Sequence, residues 1–277
     1  MPKKTVACIP HLYADPCRNA GGDALLEWRT DVSARNAIGL RDRSLQAALL
    51  TPVDYARESS LFYIVPEVAI ASGGGDGTIT LHFRETLTTI GSIAIDPSSA
   101  SEIVLARIVL AEQFDSTPTL VPFQGTVAEG LAKADGVLCV GDDALRESRT
   151  GVRALDLVEE WNEMTGLPYV HGFWVARERS LSAEEIREIQ QTSHQGRRDL
   201  ERIASAAATA HRIPGLGPEA ALEYLHQFSY DFGEETEQAV KEFLRFAYFH
   251  GILPDVADLQ FVDSEATKQN DSAGDVP

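Results

Sequence analysis

At 277 residues the chain is long enough for two lobes that each bury a core, and 44% apolar with 24% charged residues is the balance of a globular protein, not a disordered one. The formal charge of -18, with lysine only at positions 3, 4, 133, 241 and 268, excludes nucleic acid and anionic membrane as partners, because both require a basic face. There is no apolar run near the about 18 residues of a membrane span, no secretory apolar segment at the start, and no paired spacing among Cys8, Cys17 and Cys139; a cytoplasmic protein with reduced thiols and no zinc site is expected.

In chain order, Thr5 to Ile9 reads as a first strand ended by Pro10. A second apolar run, Leu45 to Leu50, meets Thr51-Pro52-Val53-Asp54, where a capping threonine, a proline at the first helical position and an early acid predict a strand-to-helix turn. Leu61 to Ile70 is a further apolar segment, and Ser72 to Gly77 is a glycine-rich loop. Thr78 to Phe83 alternates as a strand, Ser92 to Ile95 reads as the next, and a helix is expected from about Ala100 to Phe114. Pro118 to Phe123 is a predicted strand, Val127 to Lys133 a helix, Gly136 to Val140 a buried strand and Asp142 to Glu147 a short helix. This alternation argues for α/β units with parallel strands. Pro168 to Ala176 reads as the last strand, and everything after it reads as helical. Ser182-x-x-Glu185 is a capping box opening a helix with a break expected at His194 to Gly196; Pro218 starts a helix to Phe228, and Glu234 to His250 forms another. The polar, acidic tail at 263–277 is expected to be disordered.

Three junctions share one pattern of strand, small or hydroxyl residues and helix start: Thr51-Pro52, Asp96 to Ser101, and Gly141-Asp142. Helix starts of this kind aim free N–H groups into the crevice at the carboxyl ends of the strands, where a carboxylate ligand fits. Because long-range steering by an acidic chain opposes such a ligand, the pocket has to supply local donors. Ser98-Ser99-Ala100-Ser101-Glu102 is the richest of the three, although Ser99-x-x-Glu102 also reads as a plain capping box. The Gly73 to Gly77 loop matches no phosphate-binding fingerprint and reads equally as a hinge. Asp142 with Asp143 could serve acid-base chemistry or simply favour a helix start. His11, His82 and His171 show no metal-ligand spacing, and Trp161 and Trp174 read as core.

Three strings then resemble the MqnA family, the chorismate dehydratases that open the futalosine route to menaquinone. They are Gly136-Val-Leu-Cys-Val-Gly-Asp-Asp-Ala-Leu-Arg146, Asp156-Leu-Val-Glu-Glu-Trp161 and Thr165-Gly-Leu-Pro-Tyr-Val-His-Gly-Phe-Trp174, in the family's order and spacing. The resemblance implies a two-lobed α/β fold of the type II periplasmic-binding-protein kind with an inter-lobe cleft. One lobe would be residues 1–82 plus 173–262 and the other 83–172. It also implies conversion of chorismate to 3-[(1-carboxyvinyl)oxy]benzoate and water without metal or organic cofactor, on a small dicarboxylate substrate. Thr51, Thr78, Ser98, Ser99 and Ser101 would bind that substrate, with Tyr13 and Asp142 as catalytic candidates. Two positions depart from the family: Tyr13 stands where the family has a substrate-facing asparagine, and Thr78 stands in place of its pocket serine. A non-catalytic module for an aromatic or enolpyruvyl acid and the related 1,4-dihydroxy-6-naphthoate synthase are the alternative readings.

Overall fold

The computed structural model describes residues 3–18, 25–148 and 151–262. The short apolar run at the start forms β1 (Lys4–Cys8), which buries Val6, Ala7 and Cys8. A buried 3-10 helical turn over Leu12–Cys17 follows it. β2 (Leu26–Thr30), α1 (Ser33–Arg41) and β3 (Ala47–Leu50) come next, and β1 pairs in parallel with β2 on one side and β3 on the other. Thr51 then starts α2 (Pro52–Ala56), with proline at the position where a helix has no use for an N–H, and β4 (Phe62–Ser72) carries the chain toward the second sheet.

That second sheet contains β5 (Ile79–Phe83), β6 (Ser92–Ile95), β7 (Thr119–Pro122), β8 (Gly136–Val140) and β9 (Ala154–Asp156), with α3 (Ala100–Phe114), α4 (Val127–Leu131) and α5 (Asp142–Glu147) as connections. Its order is β7-β6-β8-β5-β9, parallel from β7 to β8 and antiparallel across β5. Next comes α6 (Leu157–Thr165), capped by the Asp156 carboxylate and ended by Gly166 at φ 69°, which leads into β10 (Tyr169–Arg177). β10 returns to the first sheet and inserts antiparallel between β3 and β4. α7 (Ala183–Arg198), α8 (Leu200–Thr209), α9 (Pro218–Leu225), β11 (Phe228–Phe232) and α10 (Glu234–Phe249) complete the chain, and the first sheet runs β11-β4-β10-β3-β1-β2.

Three expectations change. Boundaries at 82/83 and 172/173 would cut β5 from β8 and β9 and split β10 in mid-strand. The ladders instead keep β5 wholly in the second sheet and β10 wholly in the first, so the chain crosses between Ser72 and Ile79 and again between Asp156 and Tyr169. The helix break expected at His194 to Gly196 falls at Asp199. Gly196 stays helical because its missing side chain lets α7 lie on the 3-10 turn: a Cβ there would sit 2.0 Å from the Pro16 carbonyl oxygen. Phe228–Phe232 is an edge strand, with Phe228 and Tyr230 buried and Ser229 and Asp231 exposed, antiparallel to β4. The tail at 263–277 lies outside the described residues.

The two halves also share a core. One apolar cluster includes Leu81 and Ile93 of the second sheet together with Ala69 and Phe173 of the first. Trp161 on α6 joins them, packing edge-on against Phe243 and Phe246 of α10 with ring centroids 5.6 Å apart and donating its indole N–H to the Pro168 carbonyl at 3.3 Å. Among the described residues, no helix is long and apolar enough to cross a membrane. Truncating Trp161 to alanine is expected to cost about 3–5 kcal/mol of stability; a urea midpoint unchanged in W161A would show that this shared cluster does not hold the halves together.

Candidate functional site

Where the two sheets face each other the structure opens a cavity of about 590 Å³. Its walls are the residues just past the carboxyl ends of β1, β3, β6 and β7, together with the inner side of β8 and α5, which is where ligands sit in open α/β sheets.

The first turn of α3 points its side chains two ways. Ser98, Ser99 and Glu102 line the cavity. Ser101, one residue out of phase, is fully buried on the other side, where its hydroxyl accepts the Val53 N–H at 2.9 Å and so serves the start of α2. The expected capping box does not form: Ser99 is the N-cap residue but makes no side-chain cap, and the Glu102 carboxyl turns into the cavity wall instead. Burial pushes this carboxyl up to about 7; its own backbone N–H opposes the shift and the charge of Asp54 adds to it. Thr51 lies across the cavity, its N–H donating to Ser33 Oγ at 3.0 Å and its hydroxyl to Asp54 Oδ2 at 3.2 Å.

Tyr13 also lines the cavity, from the 3-10 turn. Its ring is held between His11 and Phe228, both stacked at 5.2 Å, and lies 5.0 Å from His171. Burial drives the Tyr13 phenol well above its ordinary range, so it remains a neutral hydroxyl, and burial lowers His11 as well. Behind Tyr13, His171 contacts Ser72 Oγ at 2.7 Å, and Ser72 in turn bonds Asp76. Burial, aided by His11, holds His171 down at about 3, so it is neutral.

Asp142 has a different role from the one expected. One carboxylate oxygen accepts the Leu12 N–H at 2.7 Å and the other accepts Arg212 Nε at 2.6 Å. The same guanidinium reaches Asp15 at 2.6 Å and the Pro10 carbonyl at 2.5 Å. With both oxygens engaged, Asp142 ties α5 to the β1 side of the cleft and is not placed for proton transfer. Gly141 makes this approach possible: it sits at φ 61°, and a Cβ there would fall 2.0 Å from His11 Nδ1. Thr78 is also elsewhere. It is fully buried, with its hydroxyl 3.1 Å from the Tyr224 hydroxyl, and it does not line the cavity that Ser98 and Ser99 line.

The structure therefore brings together Thr51, Ser98, Ser99 and Tyr13, and leaves Thr78, Ser101 and Asp142 outside the cavity. Arg146 lines it but pairs with Asp143 at 2.6 Å, so an anionic ligand would have to share it. Asp96 accepts from the Ser98 N–H at 2.9 Å and Gln124 Nε2 at 3.1 Å, and Glu129 is committed to the Thr126 capping box. Sequence reasoning missed Arg212 and the cavity role of Glu102. For Glu102 a signal existed, since Ser98 and Ser99 stand four and three residues before it on one helix face. For Arg212, in a loop after α8, the sequence offers none. The glycine-rich loop touches α6 instead of the cavity: Gly77 N–H donates to Asp156 at 2.8 Å. Among the described residues, no group of three or more histidine, cysteine, aspartate or glutamate side chains could hold a metal ion.

A family model described as menaquinone biosynthesis matches residues 26–249. Among solved structures, the chain is similar to protein AF1704 from Archaeoglobus fulgidus, at TM-score 0.73 and 18% identity over 91% of this chain and 98% of that one. It is also similar to the alkanesulfonate-binding protein SsuA from Xanthomonas axonopodis pv. citri, at TM-score 0.70 and 14% identity over 92% and 95%. A Candida albicans gene product described as having the generic periplasmic binding protein fold matches at TM-score 0.66 and 14% identity over 96% and 100%. The fold is thus the periplasmic-binding-protein fold that the sequence resemblance implied.

Two outcomes are expected from this geometry. Removing the clamp in Arg212→Met leaves Asp15 and Asp142 without their shared partner and should cost about 1–3 kcal/mol; a variant as resistant to urea as the parent would show the contact to be idle. Glu102 holds its proton more tightly in the folded chain than at its ordinary value of 4.5, so between 4.5 and about 7 the folded state carries the extra proton. Stability then falls as pH rises through that window and stays lower above it. E102Q should match the parent near pH 4 and exceed it at pH 8 by up to about 3 kcal/mol, read by urea unfolding at both pH values.

Proposed function

The chain belongs to the menaquinone-biosynthesis family, and from that premise we propose that it is a chorismate dehydratase, forming 3-[(1-carboxyvinyl)oxy]benzoate and water. The observation that carries this reading is the first turn of α3 opening into the inter-sheet cavity. There the Ser98 and Ser99 hydroxyls at a helix start are local donors for a substrate carboxylate. A volume of about 590 Å³ suits a molecule of this size. Across the cavity Thr51 and Ser33 complete a polar wall, their hydroxyls bonded to Asp54 and to each other.

The chemistry suits such a site. Loss of water makes the ring aromatic and is redox-neutral, so the driving force lies in the substrate. The protein has to neutralise two carboxylates, hold the ring so that its C–H and C–OH bonds are placed for elimination, and keep bulk water away. Tyr13 supplies part of the cavity wall and a hydroxyl that stays protonated. On this reading the reaction needs no cofactor and takes place in the cytoplasm.

Tyr13 also favours a second reading. An aromatic ring stacked between His11 and Phe228 inside the cavity suits a module that retains an aromatic acid without converting it. Incubating the protein with chorismate and following mass separates the two: loss of one water supports the dehydratase, and tight binding with unchanged mass supports the module. A Ser98→Ala/Ser99→Ala double variant should weaken ligand binding by roughly 10- to 100-fold through lost hydrogen bonds to a charged group. Unchanged affinity would remove α3 from the site.

A further inference from the structure

Of the carboxylates bordering the cavity, Asp96, Glu129 and Asp143 each have hydrogen-bond or ion-pair partners and Glu147 is likewise engaged. Glu102 differs. It is 4% exposed, lines the cavity, and among the described residues pairs with no arginine, lysine or histidine. The ionisable groups that act on it are Asp54 from α2, Tyr13 from the 3-10 turn and Tyr169 from β10, and none of them is a cation. The helices α6 and α10, strand β8 and the turn at Leu87–Thr89 also pack against α3 but place no charged group at Glu102. Elsewhere on the cavity wall Arg146 is paired with Asp143, and burial keeps His11 neutral. A buried carboxyl without a cation thus stands on the same helix face as Ser98 and Ser99, beside the place where their hydroxyls would hold an acid.

An anionic ligand cannot settle against an ionised Glu102, because like charges in contact away from water repel strongly. A protonated Glu102 is a donor instead, and an O–H donated to a carboxylate is one of the shorter and stronger hydrogen bonds. Resting on the reading above that this cavity holds a dicarboxylic acid, we propose that neutral Glu102 donates its O–H to a ligand carboxylate held by Ser98 and Ser99, so that the acid and one proton bind together. The role is one of binding. The proton comes from solvent, stays between the two carboxyl groups while the acid is bound, and takes no part in making or breaking a bond of the ligand. It supplies at this wall what a free cation would supply elsewhere, which lets a chain of net charge -18 hold an acid. Burial prepares the group: a carboxyl held at about 7 is already protonated in quantity near neutrality, and the arriving negative charge raises it further. The sign follows. Below about 7 the donor form is populated and affinity is full; above it a proton must first be drawn from solvent, and affinity falls as pH rises.

The test uses the full chain and, as the probe, 3-[(1-carboxyvinyl)oxy]benzoate, a dicarboxylate that is ionised throughout the pH range used. Binding is followed by titration calorimetry at pH 6 and pH 8 in buffers of different ionisation enthalpy. The parent is expected to bind about tenfold more weakly at pH 8 than at pH 6, and to take up about one proton per ligand at pH 8. E102Q, whose amide donates without titrating, should bind with an affinity that does not change between the two pH values and with no proton uptake; its urea midpoint checks that it folds. Those results support the proposal. Equal parent affinity at both pH values, or an E102Q that keeps the parent's proton uptake, overturns the role of Glu102 and leaves the dehydratase reading to chorismate conversion. Proton-linked binding by a parent that leaves chorismate unchanged supports Glu102 and overturns the dehydratase reading. A parent that binds no probe at pH 6 overturns the role of Glu102.

Discussion

The cleft exists in its present shape because one guanidinium spans it. Arg212 holds Asp142 of the second sheet's α5 together with Asp15 and the Pro10 carbonyl beside β1, and Asp142 adds a bond to the Leu12 N–H. A planar fork with several donors can meet such a spread of oxygens from one position, which an ammonium group cannot. The contact is partly buried, with side chains about one-fifth exposed, so water screens it less than a surface pair. Gly141 lets α5 come close enough for it to form. The seam therefore carries both a polar clamp at the cleft and, through Trp161 and α10, a shared apolar core.

Within that frame the periodicity of α3 divides its polar residues between two roles. A step of about 100° per residue puts Ser98, Ser99 and Glu102 toward the cavity and leaves Ser101 turned to α2, where it satisfies the Val53 N–H that a helix start would otherwise leave bare. The loss of the Ser99 cap and the burial of Glu102 are one event: the carboxyl cannot both reach back over the helix end and face the cavity. Burying an unpaired acid is costly, and the proton it retains near neutrality is the form that cost takes.

Tyr13 sets the character of the cavity. Its ring is wedged between His11 and Phe228, and its backbone carbonyl accepts the Tyr230 hydroxyl at 3.1 Å. Both neighbouring histidines are kept neutral by burial, so the wall they form is aromatic and uncharged. An acidic chain with a cavity of this kind depends on short-range donors to hold an acid, and the Ser98 and Ser99 hydroxyls at the start of α3 are those donors.

By itself the sequence determined the elements whose signals are local. Ser92 to Ile95, Ala100 to Phe114, Gly136 to Val140 and Asp142 to Glu147 lie where apolar spacing and helix starts put them. The motif strings around Gly136 and Thr165 pointed to the family and the two-lobed fold. Only the tertiary structure decided which sheet takes β5 and β10, since a strand's partner is chosen by ladders to residues far along the chain. It also decided that Phe228–Phe232 is a strand, because a five-residue run carries little periodicity of its own and β4 supplies the template. The site divided in the same way. That hydroxyls would gather at helix starts was legible in composition and spacing. Which of them face the cavity depended on helix phase and on a neighbour in another element, as with Ser101 and Val53, Thr78 and Tyr224, and Asp142 and Arg212. A sequence shows which groups can bond, and packing chooses the partners.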